Sequence, residues 1–266
     1  INSNSSLFIE AIDSEGKCIF HSSNIKWKRE NEFFNMLFLL IKIYKNKKED
    51  IDLRGVHFIA GEESASINYF EKLFPSKLNS AVFMDDVFMA NKTLNEGVNL
   101  EYTSFKSDFI IEKCVFNSGV IFSNIDFYCE TTGTFGLKEC DFKSSVDFCN
   151  TRIKGSLSID SCHFLEAFVF IDNELTRNGL FEIDSTFEEF TLFSNLNVES
   201  TLISFGGHFN GETVFSNIKF LPEQKIVFSG ISVKKSLIFS GEDKNRIFHG
   251  YTEFNTDIDR IEGKIT

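Results

Sequence analysis

The chain has 266 residues and a net charge of −12, and it contains 33 phenylalanines but only 2 prolines. A chain this acidic is not expected to bind nucleic acid or an anionic membrane. Its longest apolar run, Met36 to Ile41, is too short to span a bilayer.

Residues 1–93 are predicted to form an N-terminal capping region that contains partial copies of a repeat. One such copy, with its apolar residues at Ile51, Leu53, Val56 and Phe58, has the spacing that recurs later in the chain. A second helix is expected over residues 63–74 of this region, ended by Pro75.

The first helix of the capping region is predicted over residues 30–47. Glu30 and Glu32 begin it and several lysines end it, a charge order that complements the helix dipole. The segment is apolar on nearly all sides, so it must be covered on nearly all sides. One side is expected to shield the end of the repeat core. The other side, with Phe34 and Phe38, is a candidate interface with another chain.

Residues 94–248 carry an apolar pattern that returns every eleven residues. Within a unit the core positions are zero, four, six and nine, and the next unit starts at eleven. Examples are Phe116, Val120, Phe122 and Ile125, then Phe142, Val146, Phe148 and Thr151. Each step of two residues is a short strand, and the polar residues between are turn formers. The pattern predicts a solenoid built from short strands and excludes a helical repeat. Residues 249–266 are assigned to a C-terminal tail.

The strings FNSGVIFSNIDF, at 116–127, and FKSSVDFCNTRI, at 142–153, resemble the phenylalanine-rich, eleven-residue variant of pentapeptide-repeat proteins. That resemblance implies an all-β solenoid, a right-handed β-helix with four short sides per coil, so that two units make one coil of 22 residues. It also implies a bacterial protein. The use of Phe, Val or Ile where this family usually has Ala leaves a three-sided coil as the alternative.

The cysteines raise the question of a metal site. Cys114, Cys140 and Cys162 share position nine of alternate units, and the same column is predicted to continue as Asp184 and His208. Ligands along a straight ladder do not converge on a tetrahedral centre, so no metal and no cofactor are predicted. Free buried thiols favour a reducing compartment, which predicts a cytoplasmic protein.

Two outward columns are predicted to differ in character. Position ten of alternate units alternates in sign through Asp126, Arg152 and Glu174, as in a surface ion-pair ladder. Position five is mostly aliphatic, and its members form a candidate interface together with the first helix. The column reads Ile121, Asp147, Val169, Leu192, Val214 and Ile238.

These features predict a non-catalytic recognition or scaffolding module, not an enzyme, that acts through a protein partner or self-association. No small-molecule substrate is identified. One alternative is an acidic DNA mimic that modulates a type II topoisomerase, but a mimic needs a stripe of one sign. Another is a polysaccharide-active β-helix enzyme, for which Asp147, Asp160 and Asp172 are the acids considered. These three are expected to be solvated turn residues, and catalytic residues are predicted to be absent.

Overall fold

The computed structural model describes residues 12–47, 51–59, 76–84, 86–129, 133–176, 179–200, 202–220, 224–240, 251–255 and 264–265. The helix predicted over 63–74 lies outside these residues. The described chain coils into a β-solenoid of about seven turns in which every sheet is parallel.

Each turn has four short sides, which we call faces 1 to 4 in chain order. The strands of face 1 are Val87–Ala90, Phe109–Glu112, Thr134–Lys138, Ser156–Phe164, Leu180–Phe187, Leu202–Phe209, Lys225–Ser229 and Tyr251–Asn255. Face 2 comprises Thr93–Leu94, Val115–Phe116, Asp141–Phe142, the second halves of Ser156–Phe164, Leu180–Phe187 and Leu202–Phe209, and Ser232–Val233.

The strands of face 3 are Val98–Asn99, Val120–Ser123, Val146–Cys149, Phe168–Ile171, Thr191–Ser194, Glu212–Ser216, Ser236–Ser240 and Lys264–Ile265. Those of face 4 are His57–Phe58, Val82–Phe83, Ser104–Phe105, Asp126–Tyr128, Arg152–Lys154, Glu174–Thr176, Asn197–Val198 and Lys219–Phe220. A separate parallel pair joins Ile51–Asp52 to Ser76–Lys77. The four-sided coil made of two eleven-residue units is therefore confirmed, and strand pairing continues past residue 248.

The interior is filled by phenylalanine rings that lie one above another in successive turns. On face 2 the rings of Phe116, Phe142 and Phe164 stack with centroids 4.7 and 4.8 Å apart. This distance equals the spacing of neighbouring strands, so the backbone ladder itself sets the stacking. Phe148 and Phe170 of face 3 are also paired and fully buried. Their rings are tilted by 47° at 5.4 Å instead of lying parallel.

The corner between faces 3 and 4 turns by means of residues with positive φ. They are Ser80, Tyr102, Asn124, Asn150, Asp172, Asn195 and Asn217. Asparagine tolerates this left-handed conformation better than most residues do. The side-chain amides also bond along the column, as when Asn217 donates to Asn195 at 3.1 Å and Asn195 donates to Asp172 at 3.0 Å. The corner is thus fixed by both conformation and hydrogen bonding.

Two helices precede the first coil. Helix α1 is Ile25–Glu30, and the side chain of Asn24 caps it by accepting a hydrogen bond from the Trp27 N–H at 3.0 Å. Helix α2 is Phe33–Lys47. The predicted single helix over 30–47 is therefore shorter at its start, because Glu32 has a φ of 56° and breaks the helical path. Glu30 belongs to α1.

Helix α2 covers the open end of the solenoid. It buries Phe33, Leu37 and Ile41, which recur every four residues and form one face. The ring of Phe33 meets that of Phe58, in the first strand of face 4, edge to face at 6.3 Å. These contacts place the buried face of α2 against the first strand of face 4.

Candidate functional site: an aliphatic stripe on face 3

The position-five residues form one continuous ladder on the outside of face 3. Ile121 pairs with Asp147, Asp147 with Val169, and the pairing continues to Ile238. Leu192 and Val214 follow in the same register. Five strand steps of about 4.8 Å make this stripe roughly 24 Å long. We call Ile121, Asp147, Val169, Leu192, Val214 and Ile238 the face 3 stripe.

A second outward column runs beside the face 3 stripe. It consists of Ser123, Cys149, Ile171, Ser194, Ser216 and Ser240. These side chains are small or apolar, and none is a carboxylate or an amine. Asp147 is the one charged side chain in the two columns.

Asp147 is the polar interruption of the stripe. The prediction of a solvated turn residue is wrong here, because Asp147 is within the strand Val146–Cys149 and lies half-buried between Ile121 and Val169 of the neighbouring strands. Burial raises the pKa of its carboxyl above the ordinary value. Partial burial removes water from the ionised carboxylate of Asp147. A basic group of a partner placed on this face would stabilise that negative charge.

Phe190 extends the apolar surface, and the sequence pattern did not identify it. It precedes Thr191, at the start of the strand that carries Leu192, and 39% of its surface is exposed. Thr191 and Phe193 point inward and are fully buried, so the alternation along the strand directs Phe190 and Leu192 to the same outer side. An exposed aromatic ring beside an aliphatic stripe is a common feature of protein interfaces.

Phe34 and Phe38 lie elsewhere. Both are on α2, half-buried and packed together at 6.3 Å. Counted along face 4 from the first coil, which α2 covers, the nearest stripe residue, Ile121, lies three strand steps away, roughly 14 Å, and Leu192 lies six steps away, roughly 29 Å. The structure therefore does not bring the two predicted parts of the interface together.

The predicted cysteine column needs one correction. Cys114, Cys140 and Cys162 are buried and adjacent in successive turns, as expected. The column continues with Ser185, however, not with Asp184, because the pairing shifts by one residue between Asp160 and His163. The hydroxyl of Ser185 accepts from the Cys162 N–H at 3.1 Å and donates to the carbonyl of Ile159 at 3.2 Å.

Asp184 and His208 are both exposed on the surface and are not members of this column. Within the described part of the chain, no group of three or more His, Cys, Asp or Glu side chains is arranged to hold a metal ion. A hydrogen bond with Cys114 lowers the pKa of the Cys140 thiol, whereas a hydrogen bond with Cys162 and burial raise it, to about 12. Cys140 is therefore protonated and inert at neutral pH.

Acidic side chains gather on the outside of face 1. Glu182 lies near Asp160 and Asp184, and burial, followed by these two charges, raises its pKa. The group is short, because the column that holds Asp160 and Asp184 has Lys138 on one side and Gly206 on the other. It does not form a long stripe of a single sign.

Comparisons with protein-family models, with curated proteins and with solved structures gave no match to this chain. No helix in the described ranges combines the length and the hydropathy needed to cross a membrane.

Proposed function

We propose that this chain is a non-catalytic recognition or scaffolding module that binds another protein through face 3. The observation that carries the proposal is the face 3 stripe, an in-register aliphatic ladder with a single charge and an exposed aromatic neighbour. The aliphatic members of the stripe are half-buried, and contiguous apolar surface that still reaches solvent usually marks an interaction site.

The partner expected on this face has an aliphatic centre and a basic rim. The aliphatic centre matches Val169, Leu192 and Val214. The basic rim matches the net charge of −12 and the poorly hydrated carboxylate of Asp147.

The size of the surface indicates how it is used. Two outward columns, about 24 Å long and each about 7 Å wide, cover roughly 340 Å², less than half of the about 800 Å² that one partner contributes to a standard interface. The stripe is therefore the apolar centre of a contact whose polar rim extends over the neighbouring corners.

The finer assignments are part of the same proposal. Membership of the pentapeptide-repeat family, a bacterial origin and a cytoplasmic location rest on the resemblance of the repeat strings, and the four-sided coil supports that resemblance. The chain is proposed to have no enzymatic activity.

Co-purification from the native host tests the proposal. The double variant Leu192→Lys, Val214→Lys is compared with the wild type and with a matched control, Ser104→Lys, Asn197→Lys, which adds two lysines to face 4. We expect a partner that binds the wild type and the control but not the face 3 variant. Equal binding by all three proteins would contradict the role of face 3.

Sedimentation of the purified chain identifies self-association. A concentration-dependent dimer that the face 3 variant alone loses would make a second copy the partner, in place of a different protein. A monomer at all concentrations agrees with a different protein as the partner.

A further inference from the structure

The first strand of face 4, His57–Phe58, has an outer edge that faces the cap. Its inner edge is paired, since the carbonyl of Phe58 accepts from the Met84 N–H at 3.0 Å. On the outer edge the His57 N–H donates to the carbonyl of Phe20 at 2.8 Å. Such an edge pairs readily with foreign strands unless something closes it.

Lys28 of α1 closes this edge. Its side-chain nitrogen Nζ donates to the carbonyl of His57 and, at 3.1 Å, to that of Phe20. One side chain thereby ties α1, the segment before it and the first strand of face 4 together. The lysine is fully buried, and its Nζ lies 4.5 Å from the ring centroid of Phe33 in α2.

Both acceptors of Lys28 are neutral carbonyls, and among the described residues no carboxylate is bonded to its buried amino group. Burial lowers the pKa of Lys28 to about 7, although Cys18 and Asp13 act in the opposite direction. Asp13 is itself occupied, because its carboxylate accepts from the Ser22 hydroxyl and from the Lys17 N–H at 2.8 Å.

The other titratable groups around Lys28 are basic side chains. His57 lies on the strand that Lys28 closes, and its pKa is lowered by burial and then by Lys28, Lys17 and His21. His21 is exposed and rests over Gly55. Lys17 is paired with Glu15 at 2.8 Å. Helix α2 contributes the Phe33 ring to this site.

We propose that Lys28 is a proton-sensitive latch, which holds the cap of residues 12–47 closed over the first coil while it is neutral and releases the cap when it binds a proton. The proposal is independent of face 3. An ammonium buried against two carbonyls and a ring is poorly solvated, whereas in the open cap it reaches water. Opening exposes the rings of Phe33 and Phe58 and the edge of His57.

The sign of the pH effect follows from the two states. The pKa of Lys28 is about 7 in the closed cap, against an ordinary value of 10.5 when it is solvated. Between the pKa of the closed cap and that of the open cap, the open cap binds one more proton than the closed cap does. The equilibrium constant for opening therefore rises about tenfold for each unit by which the pH falls. Below pH 7 the contribution of Lys28 is constant, and protonation of His57 then acts in the same direction.

Hydrogen exchange of the α1 and α2 amides, corrected for the intrinsic pH dependence, tests the latch. From pH 9 to pH 7 we expect the opening equilibrium constant of the wild type to rise by up to about 100-fold. The variant Lys28→Met is expected to lose this rise. Lys26→Met is the matched control, because Lys26 is on the same helix with 87% of its side chain exposed, and it is expected to keep the rise.

An unchanged opening constant in the wild type, or a rise that persists in Lys28→Met, would overturn the latch. If Lys28→Met does not fold, the wild type still decides the question through the ¹³Cε resonance of Lys28. A midpoint near neutral pH supports the proposal, and a midpoint near that of the exposed lysines contradicts it.

Discussion

Faces 3 and 4 meet at one corner and have the same inward packing, yet their outer surfaces differ in chemistry. On face 4 the ladder runs through Asp126, Arg152 and Glu174, and Arg152 pairs with Glu174 at 3.0 Å. The face 3 stripe is aliphatic except at Asp147, and the ladder ends beyond Ile121 at Asn99. The same repeat therefore carries two kinds of outer surface. On face 4 charged side chains pair with one another, whereas the outer side chains of face 3 are mostly aliphatic.

The difference separates what builds the solenoid from what it binds. Inward positions on both faces are filled by large apolar side chains, such as Phe148 on face 3 and Ile153 on face 4. Outward positions are free to vary because they do not enter the core. We therefore attribute recognition to the face whose outer ladder lacks internal partners.

The largest expected effect is in the interior. Phe148 is fully buried, with the ring of Phe122 at 4.5 Å and that of Phe170 at 5.4 Å. Phe148→Ala should lower the free energy of unfolding by about 3–5 kcal/mol, through lost transfer energy and a cavity. Denaturant unfolding measures it, with Val169→Ala on the outside of the same face as a control. Equal losses in both variants would show that inward and outward are wrongly assigned.

The next effect concerns charge on the two outer ladders. Leu192→Lys removes aliphatic contacts with Val169 and Val214 and should cost about 1 kcal/mol of unfolding free energy. Asn197→Lys, on the outside of face 4, should change it by less than about 0.5 kcal/mol. Thermal unfolding in the same buffer compares the two. A face 4 variant that is the less stable of the pair would reverse the comparison.

Asp147 makes face 3 pH-dependent. Burial raises the pKa of Asp147 in the folded chain, so the folded chain takes up its proton at a higher pH than the unfolded chain does. The ionised carboxylate therefore lowers stability at neutral pH, and this cost disappears as the pH falls towards the ordinary value of 3.8.

The variant Asp147→Val should consequently stabilise the chain by about 0.5–1 kcal/mol at pH 7, and by less at pH 4.5. Urea unfolding at the two pH values measures the difference. The control is Asp126→Val on face 4, where Lys106 is paired with the carboxylate at 3.4 Å, and no gain is expected there. A gain that grows on acidification would mean that another group is responsible.

The smallest effect is expected at the face 4 ion pair. The side chains of Arg152 and Glu174 are 55% and 44% exposed, and pairs this exposed contribute little. Arg152→Ala should cost at most about 0.5 kcal/mol, and less at high salt. A loss above about 1 kcal/mol, independent of salt, would indicate that face 4 is organised more tightly than its exposure suggests.

The sequence was sufficient for the regular coils because their information is local and repeated. Each inward position recurs at a fixed spacing, so Phe148 and Phe170 could be paired without the structure. The outward register of Leu192 and Val214 follows from the same counting.

Prediction from the sequence failed where a repeat unit gains or loses one residue. It also failed where a side chain contacts residues that are distant in the sequence. The shift between Asp160 and His163 moved Ser185 into the cysteine column, and a fixed period has no means of placing it. Burial of Lys28 depends on carbonyls 8 and 29 residues away. Its sequence neighbours, Lys26 and Arg29, are exposed. The sequence pattern alone does not distinguish the buried Lys28 from these two basic residues.

Site-resolved photo-crosslinking in the native host tests the central claim most directly. A benzophenone amino acid is placed singly at Val169, Leu192 and Val214 on face 3, and at Arg152, Glu174 and Asn197 on face 4. We expect the three face 3 positions to crosslink the same protein and the three face 4 positions not to do so. Crosslinks from face 4 with none from face 3, or no crosslink from either face, would contradict recognition through the aliphatic stripe.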